Sequence, residues 1–235
     1  MFRLIARLDV KGQNLIKGIH LEGLRVVGSP HEYAKRYYEQ GVDELLFLDV
    51  VASLYGRNQL TELIERTTDG IFIPICVGGG LRSLEDVDKA FRAGADRAAI
   101  NTAAIRSPRL VRSIAERYGS QAITVSIEAR RNGSGWEAYT DCGREKTGKD
   151  AVQWAQEAVE MGAGEILMTS IDQEGTCKGF DTELIRAVAA LPVPVIASGG
   201  CGSVEHVREA RNAGADAVAV AHCLHYGKFT AREAR

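Results

Sequence analysis

An internal repeat constrains this chain more than any other feature. The stretch Pro74-Ile-Cys-Val-Gly-Gly-Gly-Leu-Arg-Ser returns 120 positions later as Pro194-Val-Ile-Ala-Ser-Gly-Gly-Cys-Gly-Ser. Both copies run on to Gly-Ala-Asp, at Asp96 and at Asp216. Each reads as an apolar run, a glycine cluster, a Ser helix cap with an acidic first turn, a helix and a second apolar run, which is a βαβ unit. Fainter echoes pair Gly41-Val-Asp-Glu44 with Gly162-Ala-Gly-Glu165, and Leu8-Asp9 with Ile127-Glu128. Two four-strand halves, about 1–118 and 119–235, predict an α/β chain folded as one (β/α)8 TIM barrel domain over 1–235, with chemistry at the C-terminal strand ends. A doubly wound open sheet is the rival topology, and it does not readily explain a symmetric duplication.

Charge and cysteine usage narrow the function classes. The net charge is −2, with acids and bases interspersed and no long basic run, so neither nucleic acid nor a membrane surface is an expected partner. The first residues are too few and too charged for a signal peptide, and no apolar run approaches a membrane span. Cys76, Cys142, Cys177, Cys201 and Cys223 are odd in number and form no CxxC, and the five histidines form no H-E-x-x-H. Neither a disulfide framework nor a metal or cofactor is expected, and a reducing cytoplasm suits the free thiols.

A Gly-rich strand-to-helix turn leaves N–H groups free at a helix start, where a phosphate fits. Two copies, Gly79-Gly80 and Gly199-Gly200, predict two phosphate sites on opposite sides of one barrel mouth. The ligand is then elongated, with a phosphate at each end. A single glycine pair would serve equally as a tight turn; the duplication favours phosphate. Asn101-Thr102 at the end of the fourth strand and Ala221-His222 at the end of the eighth complete the two pockets, and Thr169 and Ser198 offer hydroxyls on neighbouring strand ends.

Alternation along the first strand turns Leu4, Ala6, Leu8 and Val10 outward, leaving Arg3, Ile5, Arg7 and Asp9 inside. Asp9 and its repeat partner Glu128 then face each other across the barrel, an arrangement suited to general acid–base work. Arg3, Glu44, Arg97 and Glu165, at the starts of strands one, two, four and six, are placed to form a charged ring at the far end. It reads as a structural plug or as a gate in an axial passage. Between these landmarks the sequence predicts a loop through Lys17, a first helix from Ser29-Pro30, a loop over 52–57 before a helix at 59–68, and a helix from Ser107-Pro108. A hairpin over the mouth about Asn132-Gly133-Ser134-Gly135, a helix at 149–161 and a polar loop at 172–179 complete the expectation. Little room remains for a full eighth helix after Lys228.

Leu8-Asp-Val-Lys11, Lys17-Gly18, Phe47-Leu-Asp49, Val77-Gly-Gly-Gly80, Ile100-Asn-Thr-Ala-Ala104, Tyr118-Gly-Ser-Gln121, Thr169-Ser-Ile-Asp172, Gly175-Thr176 and Ala197-Ser-Gly-Gly200 follow in order. With them the chain resembles, over almost its whole length, the cyclase subunit of imidazole glycerol phosphate synthase. The long loop after the second strand and residues 143–148 look more like this cyclase than the sister isomerase. The resemblance implies a heterodimer in which a glutaminase docks at the N-terminal barrel face. Ammonia would pass the ring of Arg3, Glu44, Arg97 and Glu165, which acts as its gate, and attack a bisphosphorylated ribulosyl-formimino-carboxamide nucleotide. The products would be imidazole glycerol phosphate and aminoimidazole carboxamide ribotide. Asp9 and Glu128 match the catalytic carboxylates. Lys17, Gly79, Asn101, Thr102, Thr169, Ser198 and Gly200 match substrate contacts, joined by Gly80, Glu174, Gly175, Gly199, Ala221 and His222 around the phosphates.

Departures from the family pattern sit at these same positions. Glu128 and Glu174 stand where it has Asp, each adding about an ångström of reach, and a misplacement of that size can cost about 100-fold in rate. Arg7 stands where it has a small residue, close enough beneath Asp9 to lower its pKa; His222 replaces a hydroxyl, and Arg97 a lysine. Two other functions stay open on sequence: a paralogue passing glutaminase-derived ammonia to another acceptor, such as a nucleotide sugar in surface polysaccharide synthesis, and a non-catalytic phosphate-binding partner.

Overall fold

A computed structural model describes residues 2–52 and 60–234. Eight parallel strands close into a barrel: β1 (Arg3–Lys11), β2 (Glu44–Asp49), β3 (Ile75–Gly78), β4 (Arg97–Ile100), β5 (Ile123–Asn132), β6 (Glu165–Ser170), β7 (Val195–Ser198) and β8 (Ala217–Val220). Closure runs through β1, which pairs with β8 on one side and β2 on the other, and the two halves meet at that β8–β1 seam and where β4 pairs with β5. β1 and β5 therefore lie opposite one another. Helices α1 (Pro30–Gln40), α2 (Leu60–Thr68), α3 (Leu84–Arg92), α4 (Arg109–Tyr118), α5 (Ala151–Glu160), α6 (Thr182–Val188) and α7 (Val204–Asn212) pack outside.

Period-two alternation divides the apolar residues between two cores. Leu4, Ala6, Leu8 and Val10 of β1 join the large core between sheet and helices. Ile5 points inward and packs with Leu46, Cys76, Ala99, Leu167 and Ile196 in an apolar layer across the barrel axis. The repeat persists at the helix starts. Ser83 caps α3, accepting from the Asp86 N–H at 3.2 Å in a full capping box, and Ser203 caps α7, accepting from the His206 N–H at 3.4 Å.

The chain departs from the sequence expectation after β1. In place of a loop through Lys17 it forms a hairpin, Asn14–Ile19 against Glu22–Gly28, and the end of β1 pairs with it at Val10↔Leu15 and Lys11↔Asn14. No period marks it: Leu15 and Ile16 are both buried although adjacent, and no residue of Glu22–Gly28 is buried. The second half makes the corresponding arm. β5 runs on to Asn132 and turns through Gly133 (φ 60°) into Gly135–Thr140, which pairs with Glu145–Asp150. That last strand delays α5 to Ala151, behind the Asp150 cap. Before α4 a short helix, Thr102–Arg106, precedes the expected break at Ser107-Pro108. The loop expected over 52–57 and the start of the helix after it fall, beyond residue 52, outside the described residues. A short helix, His222–His225, follows β8. Among the described residues no helix is long and apolar enough to cross a membrane.

Candidate active site

β1 carries Arg7 and Asp9 into the C-terminal half of the barrel, and β5 brings Ser126 and Glu128 from the opposite wall. The Arg7 guanidinium is buried and crosses the interior. Its Nε donates to Asp9 Oδ1 at 2.8 Å, and its Nη1 donates to Thr169 Oγ1 and Ser198 Oγ, each at 3.2 Å. β8 lies between β1 and β7, and Ala219 on it is small. Desolvation pushes the Asp9 carboxyl up, but Arg7, helped by Lys17 and His225, holds it below the usual carboxylate range.

Glu128 is held differently. Its Oε2 accepts from Asn101 Nδ2 at 3.0 Å and from the Gly143 N–H at 2.8 Å. Burial pushes its carboxyl up to about 7, with Arg7 and the Gly143 N–H only partly offsetting. Two carboxyls at matching positions thus sit in contrasting states near neutral pH: Asp9 ionised, Glu128 poised to give or take a proton. Environments that drive two such groups apart mark an acid and a base. The sequence marked Gly143 only through the family likeness of residues 143–148; in the structure it holds a positive φ (74°) in the second arm.

Two cavities flank Arg7, one in each half of the mouth. The first, about 230 Å³, is lined by Gly79, Gly80, Asn101, Thr102, Glu128 and Arg7. Arg82 and Arg106 also line it, Arg106 paired with Asp141 at 2.9 Å; neither stood out in the sequence, although Arg82 lies two residues after Gly80 and Arg106 four after Thr102. The second, about 20 Å³, is lined by Arg7, Lys17, Glu174, Gly175, Ser198, Gly199, Gly200, Ala221 and His222. A space that size holds about one water. Lys17 is ion-paired to Glu174 there, and Glu174 Oε2 also accepts from the Leu21 N–H at 3.1 Å. Room for a phosphate on this side requires these side chains to part. His222 adds to the crowding as a neutral ring, its pKa lowered by burial and by Lys228 and Lys17. Asp9 and Thr169 line neither cavity; both are reached through Arg7.

The glycine turns have a steric reason as well as an electrostatic one. Gly79 (φ 92°) and Gly200 (φ 102°) hold backbone conformations that side chains avoid, and a Cβ would strike the Asp49 backbone at the first and the Gly179 carbonyl at the second. Among the described residues Asn101 Oδ1, enclosed at the mouth, has no partner and is an unused acceptor. Among the described residues no group of three His, Cys, Asp or Glu side chains is disposed to hold a metal ion.

At the far end Arg3, Glu44, Arg97 and Glu165 form a closed ring. Arg3 reaches Glu44 at 2.9 Å and Glu165 in closer contact, and Arg97 reaches Glu44 at 2.8 Å and Glu165 at 3.4 Å. Thr124 donates to Glu165 at 3.2 Å from inside.

The family model for histidine biosynthesis proteins matches residues 3–230. The chain is 60% identical over 205 residues to the imidazole glycerol phosphate synthase subunit HisF of Legionella pneumophila, covering 86% of this chain and 97% of that protein. It is 53% identical over 230 residues to the subunit of the same name in Myxococcus xanthus (97% and 91% covered), and 47% over 232 residues to that of Pyrococcus furiosus (98% and 92%).

Proposed function

The chain belongs to the histidine biosynthesis protein family, and from that premise we propose how its barrel mouth carries out the family's chemistry. Its activity is that of an imidazole glycerol phosphate synthase cyclase subunit, a lyase of histidine biosynthesis, and it works with a partner subunit. The substrate, a bisphosphorylated ribulosyl-formimino-carboxamide nucleotide, lies across the mouth with one phosphate at Gly79–Gly80 and the other at Gly199–Gly200. The observation that carries this reading is the pair of cavities, one per half, with Glu128 at the edge of the larger and Arg7 walling both.

Ammonia entering as a nucleophile must lose protons, and the departing carboxamide ribotide must gain one. Glu128, titrating near 7, is suited to give and take that proton; Asp9, kept ionised by Arg7, is suited to stabilise positive charge on the incoming nitrogen. Asn101 orients Glu128, and Lys17, once released from Glu174, neutralises the second phosphate. The partner is a glutaminase docked at the N-terminal face, where the charged ring closes the barrel and Phe72, 83% exposed just before β3, offers an apolar contact. The free thiols suit the cytoplasm.

Purified protein, ammonium chloride and the bisphosphate substrate suffice for a test. Loss of the substrate's near-ultraviolet absorbance with formation of imidazole glycerol phosphate is expected. Binding without turnover, or turnover confined to a nucleotide-sugar acceptor, would replace this reading.

A further inference from the structure

Among the described residues Arg7 is the one side chain that borders both cavities and also touches one of the paired carboxylates. Its Nε is taken by Asp9 and its Nη1 by Thr169 and Ser198. Among the described residues Nη2 makes no hydrogen bond, yet it is not one of the enclosed polar atoms left unpartnered, so it opens onto the cavity space. A buried guanidinium with an unused donor aimed at a cleft is costly unless something there accepts from it. Arg is a fixed, planar donor that cannot shed its proton, so what it selects is an oxygen acceptor at a defined place. That place is the middle of the mouth. A ligand with one phosphate in each half must cross Arg7, and its central segment, not its ends, meets Nη2.

We propose that Arg7 is a ligand-binding, specificity-determining residue: it bridges the two pockets and donates through Nη2 to an oxygen carried between the phosphates, so that this mouth favours doubly phosphorylated ligands whose linking segment bears oxygen acceptors over those linked by plain hydrocarbon. The inference rests on the reading of the two cavities as the two phosphate sites. It adds a contact neither glycine turn supplies, and it gives a reason for placing a cation where Ile5, Leu46 and Leu167 make an apolar layer directly beneath.

Two matched probes test it: tetraethylene glycol bisphosphate and undecanediol bisphosphate, chains of equal length that differ by ether oxygens in place of methylenes. Calorimetric affinities are measured for the native chain and for Arg7→Met, which keeps the bulk and loses the donor. Arg7→Met should weaken the ether ligand about 10- to 100-fold more than the hydrocarbon one, the range of a charged hydrogen bond. Equal loss for both probes, or none for either, would overturn the inference while leaving two-pocket binding intact. If the native chain binds both probes no better than inorganic phosphate, the two-pocket reading itself fails, and it fails before any variant is made. Should Arg7→Met not fold, a crystal structure of the native chain with the ether probe decides: Nη2 on an ether oxygen supports the proposal, and Nη2 without ligand contact ends it.

Discussion

Asp9 and Glu128 occupy equivalent positions in the two halves, but their neighbours make them unlike. Arg7 on the same strand claims Asp9, whereas Glu128 accepts from the Asn101 amide and the Gly143 backbone N–H. Glu128→Gln should lower ammonium-driven turnover by about 100- to 10,000-fold, the usual worth of a general acid–base, with substrate affinity little changed. The same variant has a stability signature. A carboxyl whose folded pKa is about 7, against an ordinary 4.5, binds a proton more readily folded than unfolded, so native stability falls as pH rises from 4.5 to 7. Glu128→Gln should remove that part of the fall, roughly 3 kcal/mol at most, seen as a flatter dependence of urea midpoint on pH. A rate unchanged by the variant, or a decline left as steep as before, would count against Glu128 as the proton donor. The two acids themselves were legible in the sequence from alternation and the repeat. The ion pair that conceals Asp9 was legible only as a charge one layer below it, since no pattern tells how far across a barrel an arginine reaches.

At the level of the strand-to-helix turns, the repeat has the same consequence twice. Gly79 and its repeat partner Gly199 both combine a positive φ with a backbone neighbour where a side chain would go, and Gly200 beside the second does the same. Gly200→Ala should cost about 2 kcal/mol or more and weaken phosphate binding, while Ser83→Ala, which removes only a cap, should cost about 1 kcal/mol and leave binding alone. Thermal melts with and without inorganic phosphate separate the two. These turns were plain in the sequence because glycine, Ser cap and acidic first turn recur at a fixed offset. The arms after β1 and β5 were not equally plain. Around Asn132-Gly133 a recognisable turn dipeptide gave the hairpin away; the two strands joined at His20-Leu21 lack both such a dipeptide and alternation, since four successive residues of one are buried and none of the other is. The second pocket was legible as a set of residues but not as a nearly closed space, because the Lys17–Glu174 pair that fills it joins the first arm to the loop after β6.

The whole barrel sets polar chemistry at one end and a charged ring at the other, with an apolar layer between. Glu44 is the ring's most buried member and accepts from both arginines. Glu44→Ala would leave Arg3 and Arg97 short of a partner; because both are about a quarter exposed, the cost should be about 2 kcal/mol, below the 3–5 kcal/mol of a fully buried pair. If the ring is the ammonia entrance, the same variant should change glutamine-driven turnover in the complex and spare ammonium-driven turnover, since bulk ammonia reaches the mouth directly. An equal effect on both rates would make the ring a structural plug. Everything at this scale depends on the duplication placing two anion sites across one mouth. A crystal structure with the bisphosphorylated substrate bound tests that most directly. One phosphate against Gly79–Gly80 and the other against Gly199–Gly200, with Glu128 beside the segment between them, is the predicted result; both phosphates in one half, or a substrate seated away from Glu128, would contradict it.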